Sequence, residues 1–501
     1  MAGIRVGVAL LAAGLGLVVG RVSAVADTWI EVTSPNFRVI SNAGEGAARN
    51  AAWQFEQIRA GIQAGWPWAR ADLDRPFVVI AVRGESTMKQ FAPQYWEDRN
   101  RIRPASVSAT GADRHFVVLR TDVRTDGDSE GVSPYQVAYW SYTQLVLSDS
   151  FDYQLPLWFG RGLSSVLSNS IVTDREIQFG RAIPWYIQEV RQGGRIGLPE
   201  LLSVDRDSPL FRGEIERQRY DAQCWALMHF LVFGDADREG SATRLNELAK
   251  LTLQGTSSVQ AVQQVYGDLD RLDSAYRTYL DRGLFRYSIM RVDARFDKKL
   301  FPLVPVPEPE ALALRADFLV TSSRLEDARA AIAEARKTAP DLASAFVAEA
   351  RLLERERKTD EARAAYERAV ALGTPNFYAW VRLANLMPRQ GAGPDELETT
   401  RGLLAKAVEL NPAYAIGHQS LGGVLLQMGR TDEAITAIRR AIALDPRQPG
   451  AHLTLASALL RGGQREEALQ EARAALALSR TDAQRNAAQG FIQRIGGTGQ
   501  L

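Results

Sequence analysis

Side chains that bind metal ions or transfer protons are scarce in this chain. Its 501 residues include four His and a single Cys. In the first half of the chain the His residues are His115 and His229, and the thiol is Cys224. Zinc in proteins is held by three or four His, Cys or carboxylate side chains, and the spacing reveals no such set. Tyr220, Asp221 and His229 could do acid–base chemistry, although no spacing among them supports it.

Two neighbouring predicted helices, within residues Tyr135 to Ser168, read YQVAYWSYTQLVLSDSFDYQLPLWFGRGLSSVLS. This segment resembles the core of gluzincin-type metallopeptidases, in particular the peptidase MA-like domains of exported bacterial proteins, which often precede helical repeats. In that family the first helix reads HExYTHL, and the second opens P-L-W and carries an E-G-x-A-E run. The frame of the family motif is present here as Tyr142, Thr143, Leu145, Pro156, Leu157, Trp158, Gly162 and Leu163.

The resemblance implies that the residues which bind and activate zinc in the family are replaced here. Trp140 and Gln144 stand where the family has its two His ligands, and Ser141 replaces the general base. Arg161 replaces the glutamate ligand, and its cation would repel a dication. An indole has no lone pair for a metal, an unactivated hydroxyl is a poor base, and an amide carbonyl is a weak zinc ligand. We therefore expect no catalytic residue, metal site or cofactor, unless two ordinary buried helices match the family pattern by coincidence.

The flanking sequence predicts the elements that would position this site. Residues 34–58 are similar to the family's opening strand and first helix, and Phe77–Val82 and His115–Leu119 are β-branched and aromatic runs typical of strands. Tyr220 and His229 match positions that the family usually keeps, where Tyr220 would stabilise an oxyanion; a core or capping role is the alternative. The resemblance implies an α+β zincin-like domain over residues 27–296.

The N-terminal residues read as a targeting segment. Arg5 precedes an apolar run, residues 6–20, and small residues suited to cleavage follow at 22–26. We predict a signal peptide, residues 1–26, and a periplasmic or secreted protein without a membrane span after cleavage; Arg21 leaves an uncleaved anchor as an alternative. A net charge of +1 gives no support for a nucleic-acid or anionic-membrane partner.

The second half is predicted to be a helical solenoid. A proline-rich segment, residues 297–308, is interpreted as a linker. Beyond it, small residues recur with a period near that of tetratricopeptide (TPR) repeats, about 34 residues; Pro412 and Pro446, for example, are 34 residues apart. We predict about five TPR repeats over residues 309–482, followed by a capping helix and tail over 483–501. A generic alanine-rich bundle is the alternative, and the repeats are expected to fold when expressed alone.

In TPR proteins the first helix of each repeat lines a concave groove that holds extended peptides. The repeat frame places these residues in the groove: Tyr378, Val381, Asn385, Gln419, Gly423, Leu453 and Ser457. The set is mixed and rather apolar, without a charge code, and it lacks the paired Lys and Asn that grip a C-terminal carboxylate. We expect a protein or peptide partner, although many such arrays only brace a neighbouring domain.

Three functional interpretations follow. The first is an exported, non-catalytic pseudo-metallopeptidase whose TPR solenoid makes it a protein-binding or scaffold module of the cell envelope. The second is an active metallopeptidase that acts on envelope peptides through an unrecognised metal site. The third is a reused cleft in which Tyr220 and His229 do other chemistry. In the first interpretation, partner binding is expected to follow the repeats.

Overall fold

The computed structural model describes residues 28–73, 75–99, 101–125, 127, 131–151, 155–234, 238–387, 393–479 and 481–496. The predicted signal peptide, residues 1–26, lies outside the described residues, as does the end of the predicted tail. Among the described helices, none is long and apolar enough to cross a membrane.

The N-terminal region is an α/β unit with two sheets. The described strands are β1 (Trp29–Thr33), β2 (Arg38–Ser41), β3 (Phe77–Val82), β4 (Ser106–Thr110), β5 (His115–Arg120), β6 (Ile171–Val172), β7 (Glu176–Phe179), β8 (Ser288–Arg291) and β9 (Leu303–Val306). The larger sheet has the order β4-β5-β3-β2-β1-β9, and the smaller one β6-β7-β8. The larger sheet is mixed, because β3 pairs in parallel with β2 and β5 while its other pairs are antiparallel.

The helices of this region surround the sheets. They are α1 (Glu45–Gly65), α2 (Glu85–Phe91), α3 (Gln136–Phe151), α4 (Leu157–Ser168), α5 (Pro184–Gln192), α6 (Leu198–Ser203), α7 (Pro209–Arg212), α8 (Glu214–Phe233), α9 (Arg238–Leu253), α10 (Ser258–Tyr266) and α11 (Leu269–Arg282). Every residue of β3 is buried, as expected for a strand that is covered on both faces.

Helices in antiparallel pairs form the C-terminal part. The described pairs are α12 (Glu308–Thr321) with α13 (Leu325–Thr338), α14 (Ala343–Arg355) with α15 (Thr359–Ala371), α16 (Phe377–Leu386) with α17 (Pro394–Leu410), α18 (Ala415–Gln427) with α19 (Thr431–Leu444), and α20 (Pro449–Arg461) with α21 (Arg465–Leu478); α22 (Asp482–Gly496) follows. Small residues allow close pairing: a Cβ at Gly422 of α18 would collide with Ile438 of α19. These helices form a solenoid.

The two faces of the large sheet are covered by different parts of the chain. On one face, Val79 and Val117 pack in a core shared with α1, α3 and α8. On the other face, Ile80 and Phe116 pack with α2 and with Phe318 of α12. The first helix of the solenoid is therefore also a core helix of the N-terminal region.

The predicted linker, residues 297–308, is wrong as a description of this segment. Its residues Leu303–Val306 form β9, which pairs with β1 in the register Ile30↔Pro305. Proline lacks an N–H donor and is tolerated at the edge of a sheet, where one side of the strand needs no partner, and β9 is an edge strand in the described sheet. Because β9 and α12 both pack on the N-terminal region, the expectation that the repeats form a separate unit is not supported.

Candidate functional site

The helix pair α3–α4 brings the sequence-predicted positions together. The Gln144 side chain donates from Nε2 to the Gly160 carbonyl (2.7 Å) and to Ser164 Oγ (2.8 Å), and so it ties α3 to α4. Gly162 allows α4 to approach α8, since a Cβ there would lie 2.6 Å from the Cys224 carbonyl oxygen. That approach places residue 161 beside the first turns of α8.

Arg161 is held by a carboxylate and two aromatic rings. Its guanidinium forms a bidentate ion pair with Asp221 of α8. The same group lies 5.7 Å from the centroid of the Trp140 ring and 5.4 Å from that of Phe211. Burial by itself would lower the pKa of Arg161, but Asp221 outweighs burial and the pKa is raised. Arg161 is therefore a permanent cation, paired with Asp221, at the point where α3, α4 and α8 meet.

Ser141 points away from this pair, toward the large sheet. Its hydroxyl donates to Ser108 Oγ of β4 at 2.7 Å. No basic side chain is hydrogen-bonded to it among the described residues, so nothing there activates it as a nucleophile or base. Searched across the described part of the chain, no group of three or more His, Cys, Asp and Glu side chains could hold a metal ion.

The structure does not bring Tyr220 and His229 into one site. His229 lies eight residues beyond Asp221 on α8, about 12 Å along the helix axis. Its Nε2 donates to the Gly180 carbonyl (2.8 Å), and its Nδ1 accepts from the Tyr279 hydroxyl (2.7 Å). Burial lowers the pKa of His229 to about 4. His229 is therefore a neutral core residue with both ring nitrogens bonded, and the prediction of a reused cleft is wrong for it.

Tyr220 is also a core residue. Its side chain is fully buried on the first half of α8. Burial, and then the neighbouring Cys224 thiol, raise the pKa of Tyr220 far above its usual value. A phenol that stays neutral and inaccessible cannot stabilise an oxyanion of a bound substrate.

The turn between β4 and β5 inserts into the repeat groove; residues Gly111–Arg114 are called the hairpin tip. Asp113 Oδ1 lies 3.2 Å from Arg351 Nη1 of α14. Arg351 also pairs with Asp317 of α12, and Asp317 lies 3.5 Å from Arg114. All three of Asp113, Asp317 and Arg351 are buried. The hairpin tip and the first two repeats thus share one buried ion cluster.

Asp317 and Arg351 are groove positions that the sequence prediction missed. Counting back from Asn385 in steps of 34 residues gives Arg351 and then Asp317, and counting forward gives Gln419 and Leu453. Had this count from Asn385 been extended to the two preceding repeats, it would have shown charged residues in the groove. The expectation of a groove without charge is therefore wrong for repeats one and two.

The predicted groove residues have different surroundings. Tyr378 is half-buried beside the hairpin tip; burial raises its pKa, and Asp113 adds to the rise. Val381 is 1% exposed and packs with Phe377 and Tyr414 inside the solenoid, so it is not a groove residue. Further along, the half-buried groove residues are Asn385, Gln419, Gly423, Leu453 and Ser457.

The solenoid touches the N-terminal region a second time near its fourth and fifth repeats. Arg447, between α19 and α20, donates to the carbonyls of Asp149 (3.0 Å) and Ser150 (3.2 Å). These carbonyls belong to the last turn of α3, where unsatisfied C=O groups attract cations. The helix that carries Trp140, Ser141 and Gln144 is therefore braced by the solenoid.

A cleft of about 1060 Å³ lies along β4, between the N-terminal region and the solenoid. Val107 and Phe318 line one side, and Val137 and Trp185 line the other. Val137 and Trp185 are exposed large apolar side chains. Apolar surface of this kind, gathered in a concave region, is typical of binding sites.

The free edge of β4 faces this cleft. The bonds from Arg120 N to Ala105 O (2.8 Å) and from Gly111 N to Arg114 O (2.9 Å) fix the alternation of the β4–β5 ladder. Residues 105, 107, 109 and 111 therefore direct their backbone groups to β5, and the backbone groups of Ser106, Ser108 and Thr110 point outward. Across the described sheet no strand pairs with this edge.

Comparison with known proteins identifies the repeats. A sequence profile of the tetratricopeptide repeat family matches residues 347–414 and 420–483. The C-terminal part of the chain contains TPR repeats. The match begins at residue 347, so the peptidase interpretation of the N-terminal region stays a prediction. No curated protein sequence matches the chain.

Three solved structures illustrate what this chain is similar to. YrrB, described as a TPR protein with an unusual peptide-binding site, has 21% identity and a TM-score of 0.32, over 36% of this chain and 90% of its own. MamA has 21% identity and a TM-score of 0.29, over 38% and 96%. PilF of Pseudomonas aeruginosa has 20% identity and a TM-score of 0.30, over 38% and 87%.

Proposed function

We propose that the chain acts in protein–protein interaction or as a scaffold, a role that its TPR repeats suggest. Beyond this, we propose that the chain is an exported, non-catalytic pseudo-metallopeptidase that binds an extended peptide segment of a partner protein along the free edge of β4. The TPR solenoid braces the peptidase-like region and closes one side of its cleft. The observation that carries the proposal is an edge of β4 with which no described strand pairs, inside a cleft, while the hairpin tip occupies charged positions in the groove of the first two repeats.

The backbone of β4 supports this proposal. Its outward residues Ser106, Ser108 and Thr110 offer N–H donors and C=O acceptors to an added strand. Strand addition to an exposed sheet edge is a common mode of peptide recognition, in which backbone bonds give affinity and side-chain pockets give specificity. The two apolar sides of the cleft would take the alternate side chains of such a peptide.

The helix pair α3–α4, in which the family's zinc-site residues are replaced, supports the proposal that the chain is non-catalytic. A zinc ion would meet the Arg161 cation, which is bonded to Asp221 and flanked by the Trp140 ring. Gln144 uses its amide N–H groups to join α3 to α4. These contacts stabilise the packing of α3, α4 and α8, and among the described residues they leave no group at this point that could activate water.

The test is selection of peptides from a displayed random library by the full chain. We expect the wild type to enrich extended peptides, and we expect Ser108→Pro to lose them, because proline removes an outward N–H and blocks strand addition. Ser108→Ala is the matched control: it loses the hydroxyl that accepts from Ser141 but keeps the backbone N–H. Equal binding by Ser108→Pro, with loss of binding in Gln419→Ala/Leu453→Ala, would place the ligand in the TPR groove instead.

The exported location is a separate part of the proposal, supported by the sequence of residues 1–26. N-terminal sequencing of the protein from the producing cell should begin after Ala24 or Ala26. A mature chain that retains Arg5 and the apolar run would favour the uncleaved anchor.

A further inference from the structure

Arg103 stands beside the N-terminal end of β4 in the cleft, and no carboxylate of the described residues compensates its charge. It precedes β4 and lines the cleft. Its guanidinium lies 5.4 Å from the centroid of the Trp96 ring. Its Nε is buried and has no hydrogen-bond partner among the described residues. No described Asp or Glu forms an ion pair with it either, whereas the half-buried Arg114, Arg161 and Arg382 each have such a partner.

The described lining of the cleft has a basic character. It includes Arg103 and Arg124 and no described Asp or Glu. Arg124 has contacts of its own, and Arg103 is the lining cation that a ligand carboxylate would meet. A partly buried guanidinium without a hydrogen-bonding partner is costly, and a ligand carboxylate would compensate it with a charge-assisted bond. Stacking on Trp96 holds the planar group in place before a ligand arrives, which reduces the entropic cost of binding.

The position of Arg103 fixes where on a bound peptide the carboxylate would lie. It is three residues before Ser106, the first residue of β4, so it lies at the N-terminal end of that strand. A strand added antiparallel to β4 would have its C-terminal end there. Upstream on the peptide, side chains would alternate between the side of Val107 and Phe318 and the side of Val137 and Trp185.

We infer that the cleft selects an extended peptide whose carboxylate, near its C-terminal end, pairs with Arg103 and whose apolar side chains contact the exposed ring of Trp185 and the exposed methyl groups of Val137. This inference rests on the proposed function and specifies its ligand. The carboxylate is supplied by an Asp or Glu side chain or by the peptide C-terminus, and the bond to Arg103 is the same in both cases.

The experiment uses the full chain and the same displayed library, with wild type, Arg103→Gln, Arg103→Lys and Ser108→Pro. The matched control is Arg101→Gln, because Arg101 is an exposed arginine two residues away that is not among the lining residues of the cleft, although it donates to the carbonyl of the lining residue Gln94 (3.3 Å). Selected peptides are then synthesised with the acidic residue changed to its amide, and with free or amidated C-termini, and measured by fluorescence anisotropy.

We expect wild type and Arg101→Gln to enrich peptides with a carboxylate near the C-terminal end. We expect Arg103→Gln to raise the dissociation constant of the best peptide about ten- to a hundredfold. Arg103→Lys should recover part of the lost affinity. The affinity of Arg103→Gln should also depend less on salt concentration than that of the wild type. The amide-substituted peptide should bind wild type and Arg103→Gln equally.

Two negative results are distinguishable. The proposed function is overturned if the wild type enriches no peptide, or if every enriched peptide still binds Ser108→Pro. If peptides that Ser108→Pro does not bind are enriched but show no acidic preference, or bind Arg103→Gln as tightly as wild type, the proposed function stands and the inference about Arg103 is overturned. Loss on C-terminal amidation alone would identify the terminal carboxylate as the source, and loss on the side-chain change alone would identify Asp or Glu.

Discussion

The buried ion cluster predicts that Arg351→Ala strongly destabilises the chain. Arg351 contacts the carboxylates of both Asp113 and Asp317, and its removal leaves two buried like charges with Arg114 as the remaining cation. Breaking a buried ion pair by deleting one partner costs about 3–5 kcal/mol. We therefore expect the free energy of unfolding to fall by about 4 kcal/mol at neutral pH.

The pH dependence of this loss has a definite sign. Burial would raise the pKa of Asp113, but Arg114 and Arg351 together hold it below its usual value. A carboxyl with a lowered pKa stabilises the folded state above its unfolded pKa, about 3.9, and this stabilisation is lost as the pH falls through the folded pKa. Burial raises the pKa of Asp317, so Asp317 takes up its proton first. The difference between wild type and Arg351→Ala should therefore begin to shrink above about pH 4, as Asp317 is protonated, and shrink further below about pH 4, as Asp113 is protonated.

The assay is urea unfolding of the full chain, followed by circular dichroism, with amide hydrogen exchange read at the hairpin tip. Arg355→Ala is the matched control, because it truncates an exposed arginine one turn further along α14 and should change stability by less than about 0.5 kcal/mol. Faster exchange at residues 111–114 should accompany the loss in Arg351→Ala. A loss below about 1 kcal/mol with unchanged exchange would refute the docking of the hairpin tip in the groove.

A double variant separates the ion pair from lost packing. Asp113→Ala removes one of the charges that Arg351→Ala leaves uncompensated. The two changes together should cost clearly less than the sum of the single changes, because residues in one ion network are not additive. Additive losses would mean that Arg351 stabilises the solenoid without contacting the hairpin tip.

Three further predictions follow from the N-terminal region. Protein purified without chelator should contain far less than one equivalent of zinc, and stoichiometric zinc retained through gel filtration would contradict the pseudo-enzyme proposal. Arg161→Leu should lower the free energy of unfolding by about 3 kcal/mol, and adding Asp221→Leu should restore part of it, since no buried charge is then left unpaired. Because the pKa of His229 is lowered to about 4, stability should fall by up to about 3 kcal/mol as the pH drops from 6.5 to 4; thermal melts of His229→Gln should lack this slope.

The family motif places Gln144 and Arg161 on two neighbouring helices, and the structure packs these helices, α3 and α4, against each other. The partner of Arg161, in contrast, could not be read from the sequence. Asp221, the partner of Arg161, is 60 residues away along the chain and carries no local signal. A carboxylate that compensates a buried cation can come from any element that packs nearby, and only the tertiary structure decides which one.

The prediction also failed where a local signal was ambiguous. The prolines near Leu303 indicated a linker, yet the same residues suit an edge strand, and the partner strand β1 begins far away at Trp29. His229 stood alone on an apolar helix, which is more typical of a core histidine than of a base, and its partners Gly180 and Tyr279 come from distant segments. In both cases the deciding contact is long-range.

The residues that line the repeat groove change from charged to neutral along the solenoid. This change separates the part of the groove that holds the hairpin tip from the part that is open to a partner. At equivalent positions, 34 residues apart, the first two repeats carry Asp317 and Arg351, and the later ones carry Asn385, Gln419 and Leu453. The charged pair is matched by Asp113 and Arg114 of the hairpin tip. Neutral residues at these equivalent positions could not compensate the charges of Asp113 and Arg114. The first two repeats are therefore built to hold the chain's own hairpin, and a peptide partner must use the edge of β4 or the neutral half of the groove.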